Sequence, residues 1–539
     1  MNLGTYLTRS ARHWPDQPAL VCGARVWMYR DFEERTNRLA ASFSSRLGLD
    51  TGDAVGSLAW NRGELVEIEF ALYKAGMPRV PINARLGRAE IEHILRDASV
   101  RMLVFDAAHR DDALAAIASA GTGCLPVLLD DELGEDFDGA ASEPFGPAEA
   151  PPVTGVLSYR ELVNDGRADP VAVDVGEDDA AVLNFTSGST GKLKAAVQTF
   201  GNRLANMRKQ LMSHESPPRP GMRYLACGPI THATGMGLLG GVFGGSTTYI
   251  LHSWNPATFL DIVERERITS TFLVPAMLTM VLEHPDVGER DLSSLTSVRL
   301  GGAPISPRRL REAVALFGPV VAQGYGLAET TSVVAGLTSE EIANAVTDDP
   351  ELLRSCGRAA YDTEIHVVDE NNTELPPREI GEIVARGPDC VTRYWNDPEQ
   401  SARTFRDGWV HTGDLAWMRE DGYLFIVDRK KDMIISGGFN IYCTEVEAAL
   451  YEHPAVNEVC VIGVPDEMWG EAVQAAVVLR AGHEPTANEL IGFCAERLDR
   501  FKKPRSIDFV PELPHNRNGK IDRKAVREPY WADTARRVN

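Results

Sequence analysis

The run Asn184-Phe185-Thr186-Ser187-Gly188-Ser189-Thr190-Gly191-Lys192-Leu193-Lys194 concentrates hydroxyls, glycines and two lysines directly after the apolar Ala180-Ala181-Val182-Leu183. Such a composition suits a loop that wraps polyphosphate. Glycine lets backbone N–H groups approach oxygens, hydroxyls add donors, and lysine adds charge. The loop is not a Walker A motif, because only two residues separate Gly188 from Gly191 and Leu193 follows Lys192 where Ser or Thr is needed. A merely flexible connection has the same composition, so its meaning depends on the rest of the chain.

Four further segments follow in order: Tyr325-Gly326-Leu327-Ala328-Glu329-Thr330, Gly408-Trp409-Val410-His411-Thr412-Gly413-Asp414-Leu415, Asp428-Arg429-Lys430-Lys431-Asp432 and Asn518-Gly519-Lys520. Together with the loop they resemble the adenylate-forming, AMP-binding superfamily. That superfamily includes acyl-CoA synthetases, the adenylation domains of nonribosomal peptide synthetases and firefly-type luciferases. The resemblance runs from about Leu7 to about Arg527.

The chemistry implied is attack of a carboxylate on the α-phosphorus of ATP, with pyrophosphate expelled. Two anions must meet, and at ~4 Å with an effective dielectric of about 20 each unit charge pair repels by about 4 kcal/mol. Cations are therefore obligatory. The resemblance implies that Thr186, Ser187, Gly188, Ser189, Thr190, Gly191 and Lys194 hold the β- and γ-phosphates, and that Lys520 bridges the substrate carboxylate and the α-phosphate. Glu329 is suited to coordinate Mg²⁺ through oxygen; a helix N-terminal glutamate facing the dipole is the alternative. Tyr325 is expected to stack on adenine beside a small-residue wall of Gly301, Gly302 and Ala303, with Gly324 and Gly326 keeping the turn sharp. Asp414 would accept hydrogen bonds from both ribose hydroxyls. Arg429 resembles a second ribose contact, and Ile426 an apolar cover beneath the nucleoside.

The chain departs from the family pattern in several places. Leu193 stands where proline is usual, Ala195 where glycine is usual, and Ala328 replaces the common hydroxyl before the glutamate. Phe439 and Cys443 are unusual around Ser436-Gly437-Gly438, where Gly437, Gly438 and Phe439 would line the thiol-acceptor tunnel. Pro229-Ile230-Thr231-His232 resembles the segment whose side chain gates access to the reacting carboxylate, although His232 also reads as an ordinary packed histidine. Glycines follow, and Gly237 and Gly241 among them lie four residues apart and so on one helical face. They leave room for a bulky or extended apolar acid.

Around these residues the sequence supplies an α/β frame. Asp53-Ala54-Val55 leads into a strand, and Leu65, Ile68 and Leu72 recur at helical spacing before Gly76 ends the helix. Repeated strand-then-helix alternation predicts parallel sheets covered by helices. The resemblance adds a sheet-rich barrel in a large N-terminal domain, residues 1–430, and a small mobile α+β C-terminal domain, residues 431–539, pivoting at Lys431. Asp130 to Glu149 holds eight acidic residues and no basic ones, which reads as a solvated loop. Ala233 to Leu251 is uncharged, but its six glycines fit a buried segment better than a membrane span.

A formal net charge of −22 argues against general nucleic-acid binding. From Arg500 onward eleven basic residues face five acidic ones, a tail that suits either a polyanion or a solvated surface. Eight scattered cysteines show neither zinc spacing nor a disulfide framework. The N-terminus lacks the pattern of a signal peptide, and a cytoplasmic location is expected. The resulting expectation is an ATP- and Mg²⁺-dependent acyl-CoA synthetase using CoA as co-substrate. The alternatives are a ligase that loads a separate acyl-carrier protein, a luciferase-like oxygenase and a non-catalytic nucleotide-binding relative.

Overall fold

The computed structural model describes residues 2–130, 155–187, 193–213, 217–515 and 520–531. Gly188, Ser189, Thr190 and Gly191, the acidic stretch after Asp130, and Asn518-Gly519 lie outside the described residues.

Two large sheets carry the N-terminal part of the chain. The first has seven strands among the described residues, in the order Leu157–Ser158, Leu125–Leu128, Met102–Phe105, Val55–Leu58, Arg79–Ile82, Ala180–Ser187 and Leu193–Thr199. It is parallel except for its last hairpin. The second has nine strands among the described residues. Its middle is parallel and includes Arg223–Ala226, Ser270–Leu273, Ser297–Gly301 and Val321–Gly326, while antiparallel strands close both edges. Parallel strands need crossover connections, and helices supply them.

The helix expected before Gly76 is Gly63–Ala75, and Gly76 caps it at φ 66. Every residue of this helix is buried, although it carries Glu64, Glu67, Glu69 and Lys74. Buried charges require partners. Arg62 Nε lies 2.8 Å from Glu64, and Tyr159 Oη and Trp27 Nε1 donate to Glu67 at 2.9 and 2.8 Å. Glu69 accepts from Tyr73 Oη at 2.7 Å and Arg203 at 3.2 Å, and also pairs with Arg79. Lys74 Nζ reaches Glu33 at 2.6 Å. The helix thus stitches its neighbours together through charge as well as packing.

The glycine-rich stretch folds as a short 3₁₀ turn, Ala233–Gly237, then the helix Leu238–Gly244, then the strand Thr247–Ile250. Among the described residues no helix is long and apolar enough to cross a membrane. None of the eight cysteines is in a disulfide, and all but Cys356 are buried.

Strands Glu364–Val368, Gly381–Arg386, Phe405–Arg406, Trp409–Met418 and Leu424–Arg429 form the antiparallel sheet expected of the barrel region. After Arg429 the chain enters another antiparallel-rich sheet, with Ile434–Ser436, Phe439–Ile441, Val456–Asp466, Gly470–Leu479 and Ser506–Phe509. Helices Cys443–Tyr451 and Ala487–Ala495 close a separate apolar core over it, centred on residues such as Val446, Val461 and Leu490. One element is longer than its sequence suggests. The strand that begins at Ala180 runs past the apolar run to Ser187, because Leu193–Thr199 pairs with it as far as Ser187↔Leu193. A cross-strand partner satisfies polar residues that hydropathy alone assigns to a loop.

Candidate active site

One continuous cleft runs between the two large sheets and the C-terminal sheet, and most of the chemistry-bearing residues of the sequence line it. Its first group surrounds the hairpin formed by Ala180–Ser187 and Leu193–Thr199. Thr186 and Lys194 face each other across the hairpin. Lys194 Nζ donates to Tyr394 Oη at 2.7 Å, and the same hydroxyl donates to Glu329 Oε1 at 2.6 Å. Lys194 Nζ and Glu329 Oε1 stand 4.0 Å apart. Burial lowers the pKa of Lys194, with Glu329 and Asp397 opposing and Lys431 adding to the effect. The Tyr394 hydroxyl is held protonated by burial and by the Glu329 carboxylate.

Backbone bonds fix this triad. Val391 N donates to Glu329 O at 2.9 Å, Trp395 N to Ala195 O at 2.8 Å and Val197 N to Arg393 O at 3.2 Å. Three segments distant in sequence are therefore pinned around one phenol. Tyr394 was not legible as a site residue, since its neighbours Arg393 and Trp395 carry no recognisable chemical pattern. Replacing it with phenylalanine keeps the ring but deletes both hydrogen bonds. Tyr394→Phe is expected to raise the KM for MgATP by about 10-fold, the scale of one or two charge-assisted hydrogen bonds. Thioester formation from supplied acyl-adenylate and the melting temperature should hold steady; unchanged MgATP kinetics would show that the triad does not serve nucleotide.

The second group lies where the nine-stranded sheet meets the barrel-region sheet. Tyr325 Oη donates to Asp414 Oδ2 at 2.6 Å, and Arg429 Nε sits 3.2 Å from Asp414 Oδ1. Asp414 and Arg429 are register partners on adjacent strands, which explains their meeting. Burial raises the pKa of Asp414, opposed by Arg429, Tyr325 and Lys520. Ile426 packs with Tyr325 on the same small apolar cluster. Gly301 pairs with Gly324, and a Cβ on Gly301 would come within 2.9 Å of Gly324 O. Gly326 is tighter still, its Cβ position lying 2.1 Å from Ser332 O. Gly302 holds a left-handed φ of 83°. Gly302 and Ala303 also line the cleft, so a planar group entering here meets backbone rather than side chains.

The third group faces both. Lys520 lines the cleft, and burial followed by the Arg429 charge lowers its pKa against the pull of Asp414. His232 lines the opposite wall, its Nδ1 2.8 Å from Thr231 Oγ1. Burial first, then the charges of Lys520, Arg79 and Arg85, push the His232 pKa down to about 4. At neutral pH its imidazole is therefore an uncharged hydrogen-bonding group. Asn61, also missed in the sequence, holds the preceding turn: its amide donates to Gly228 O at 2.8 Å and its carbonyl accepts from Ile230 N at 3.0 Å.

Gly237 and Gly241 both line the cleft beyond His232, but they are not equivalent. A Cβ on Gly237 meets nothing within 4 Å, whereas one on Gly241 lies 3.0 Å from Ser246 Oγ. Lys431 also borders the cleft, just after the last strand of the barrel-region sheet. Gly437, Gly438 and Phe439 do not border it. Their hairpin faces elsewhere, with Phe439 54% exposed and stacked on Phe501 at 4.8 Å. The residues expected for the acyl-transfer step are thus not assembled with Lys520 in this conformation. Among the described residues no group of three or more His, Cys, Asp or Glu could form a metal cage.

Residues 7–395 match the family model described as AMP-binding enzyme, and residues 445–520 match the AMP-binding enzyme C-terminal domain. The chain is 36% identical over 545 residues to a medium/long-chain-fatty-acid–CoA ligase, FadD8, of Mycobacterium tuberculosis, covering 99% of this chain and 91% of that protein. It is 35% identical over 530 residues to a feruloyl-CoA synthase of an Amycolatopsis species, covering 98% and 99% of the two chains. The solved structure of the amide bond synthetase McbA from Marinactinospora thermotolerans superposes with a TM-score of 0.85 at 27% identity, covering 98% of this chain and 100% of that one.

Proposed function

This chain belongs to the AMP-binding, adenylate-forming enzyme family, and from that premise we propose that its cleft carries out both half-reactions of an acid–thiol ligase. The enzyme is an AMP-forming acyl-CoA synthetase. It activates a carboxylic acid as the acyl-adenylate and then transfers the acyl group to the thiol of CoA. The observation that carries this reading is the convergence of Lys194 with Glu329, Asp414 with Arg429, and Lys520 with His232 around one cleft.

In the first half-reaction a carboxylate oxygen bonds to the α-phosphorus while the bond to the β-phosphate oxygen breaks and pyrophosphate leaves. Lys194 and the loop before it hold the leaving group, and Lys520 offsets the repulsion between carboxylate and α-phosphate. Glu329 fits Mg²⁺, because that ion is commonly held by one or two carboxylates together with substrate phosphates and not by an all-protein cage. When bound there it would neutralise charge on the phosphate oxygens. Asp414 and Arg429 orient the ribose, and Tyr325 both flanks the base and fixes Asp414. A neutral His232 can donate one hydrogen bond to the reacting carboxylate without becoming a competing cation.

In the second half-reaction the thiol sulfur bonds to the acyl carbon, the carbon–oxygen bond to AMP breaks, and the thiol proton is released. A turn of the C-terminal domain about Lys431 would withdraw Lys520 and bring Gly437, Gly438 and Phe439 to the cleft. The relatives support an acid of medium length or aromatic bulk, which agrees with the open space at Gly237. The test is a pyrophosphate-release panel of aliphatic, aromatic and polycyclic acids, with CoA included, omitted, or replaced by a phosphopantetheinylated carrier protein. Thioester formation with CoA is expected. Turnover only with the carrier protein would reassign the acceptor.

Filling the open space at Gly237 checks the pocket. Gly237→Leu should lower kcat/KM for bulky acids by about 1 to 3 kcal/mol through overpacking, while short acids and ATP affinity hold steady. Parallel loss for every acid would place Gly237 outside the acyl pocket.

A further inference from the structure

The floor of the acyl side of the cleft is one face of the nine-stranded sheet. Residues directly paired across strands share a face, and so do residues two apart on one strand. The registers Tyr224↔Ser270, Phe272↔Arg299, Arg299↔Ala322 and Gly301↔Gly324 therefore put Arg299 on the same face as Gly301, Phe272 and Tyr224. Val298 and Leu300, which alternate with Arg299, point to the apolar core on the other side. Arg299 thus lies on the cleft side, partly exposed, two residues from the glycine at the nucleotide junction. Two residues along a strand is about 7 Å.

Its guanidinium is close enough to Tyr224 to oppose the rise that burial causes in that phenol's pKa. Tyr224 Oη in turn donates to Thr234 O at 3.0 Å, in the turn that begins at His232. Tyr224 thus stands between the charged floor and the turn that begins at His232. Guanidinium carries five N–H donors in a fixed fork, so Arg299 can keep its contacts within the chain and still present donors to a ligand. Laying a purely alkyl tail against it would remove hydration from a cation and return no hydrogen bond.

We propose that Arg299 selects carboxylic acids that carry, at the far end of an otherwise apolar body, a second hydrogen-bond acceptor such as a carboxylate or a phenolic oxygen. This rests on the ligase reading above and narrows its substrate class. Ala322, small and directly beside Arg299 on the next strand, also lines the cleft.

Two matched pairs test it by pyrophosphate release with the full-length enzyme: hexanoate against adipate, and cinnamate against 4-hydroxycinnamate. The wild-type protein is expected to favour the acceptor-bearing member of at least one pair by about 10-fold or more in kcat/KM, as sites built to hydrogen-bond a substrate group reject the analogue without it. The adipate arm reports a carboxylate and the hydroxycinnamate arm a phenol. Arg299→Met should abolish or invert the preference while the KM for ATP is unchanged, and Arg299→Lys should retain part of it for adipate. Thermal shift of each variant with ATP alone confirms a folded nucleotide site. Preference for the plain acid in both pairs, or a preference that survives Arg299→Met, overturns the proposal. So does turnover of purely apolar acids in the wider panel with none of the four. Silence across the whole panel instead counts against the ligase reading itself.

Discussion

Lys520→Ala is expected to slow acyl-adenylate formation by about 100- to 1000-fold, the scale for removing one preorganised charge stabiliser from a transition state. Lys520 lines the cleft among Asp414, Arg429 and His232, and each of these groups responds to its charge or acts on it. Desolvation in the cleft and then the Arg429 charge lower its pKa, while the side chain keeps access to solvent, so an incoming anionic phosphate relieves a repulsion already present in the free enzyme. Given synthetic acyl-adenylate and CoA, the variant should form thioester at nearly the wild-type rate. Removing Lys520 also removes one cation from beside His232, so the imidazole pKa should rise from about 4. An NMR titration of His232 in the variant measures that rise. Equal losses in the two half-reactions would make Lys520 a structural residue and return the adenylation role to another cation of the cleft.

Glu69→Ala should destabilise the N-terminal region by about 3 to 5 kcal/mol, the cost of removing one partner from a buried ion pair and stranding the other. Arg79 and Arg203, whose side chains are 6% and 3% exposed, would face each other without their shared carboxylate. Tyr73 Oη would lose its acceptor as well. Chemical denaturation followed by circular dichroism measures the effect. The consequence should extend to the cleft, because Arg203 also contacts Met236 at 3.2 Å, which lines its wall. A double replacement of Glu69 and Arg203 should lose less than the sum of the single changes, since it removes one of the stranded charges. An unfolding midpoint within error of wild type for Glu69→Ala would mean that the buried network is not needed for stability.

Much of the nucleotide chemistry was legible because it is local. A hairpin with a hydroxyl- and glycine-rich tip, a tyrosine between glycines and an aspartate on a strand are each specified within a few residues, and close backbone approach dictates the glycine after Tyr325. This is Gly326: Ser332 O fills the place of any side chain there. The helix Gly63–Ala75 was legible from its apolar spacing and terminal glycine, but its complete burial was not. Its three glutamates and its lysine suggest a solvated face, and only partners on other elements make their burial tolerable.

The sequence by itself determined which chemical groups the protein possesses, the order of its motifs, and the backbone positions where only glycine fits. The tertiary structure alone decided which of those groups meet. Tyr394 lies 200 residues from Lys194 and 65 from Glu329, yet one phenol hydrogen-bonds both. Arg299 acquires its place on the cleft floor from strand register, and a slip of one residue would bury it in the opposite core. Phe439 and Lys520 both follow Arg429 in the chain, yet only Lys520 lines the cleft. Local composition fixes conformation over a few residues, whereas register, crossover and domain orientation are settled by packing between elements far apart in the chain.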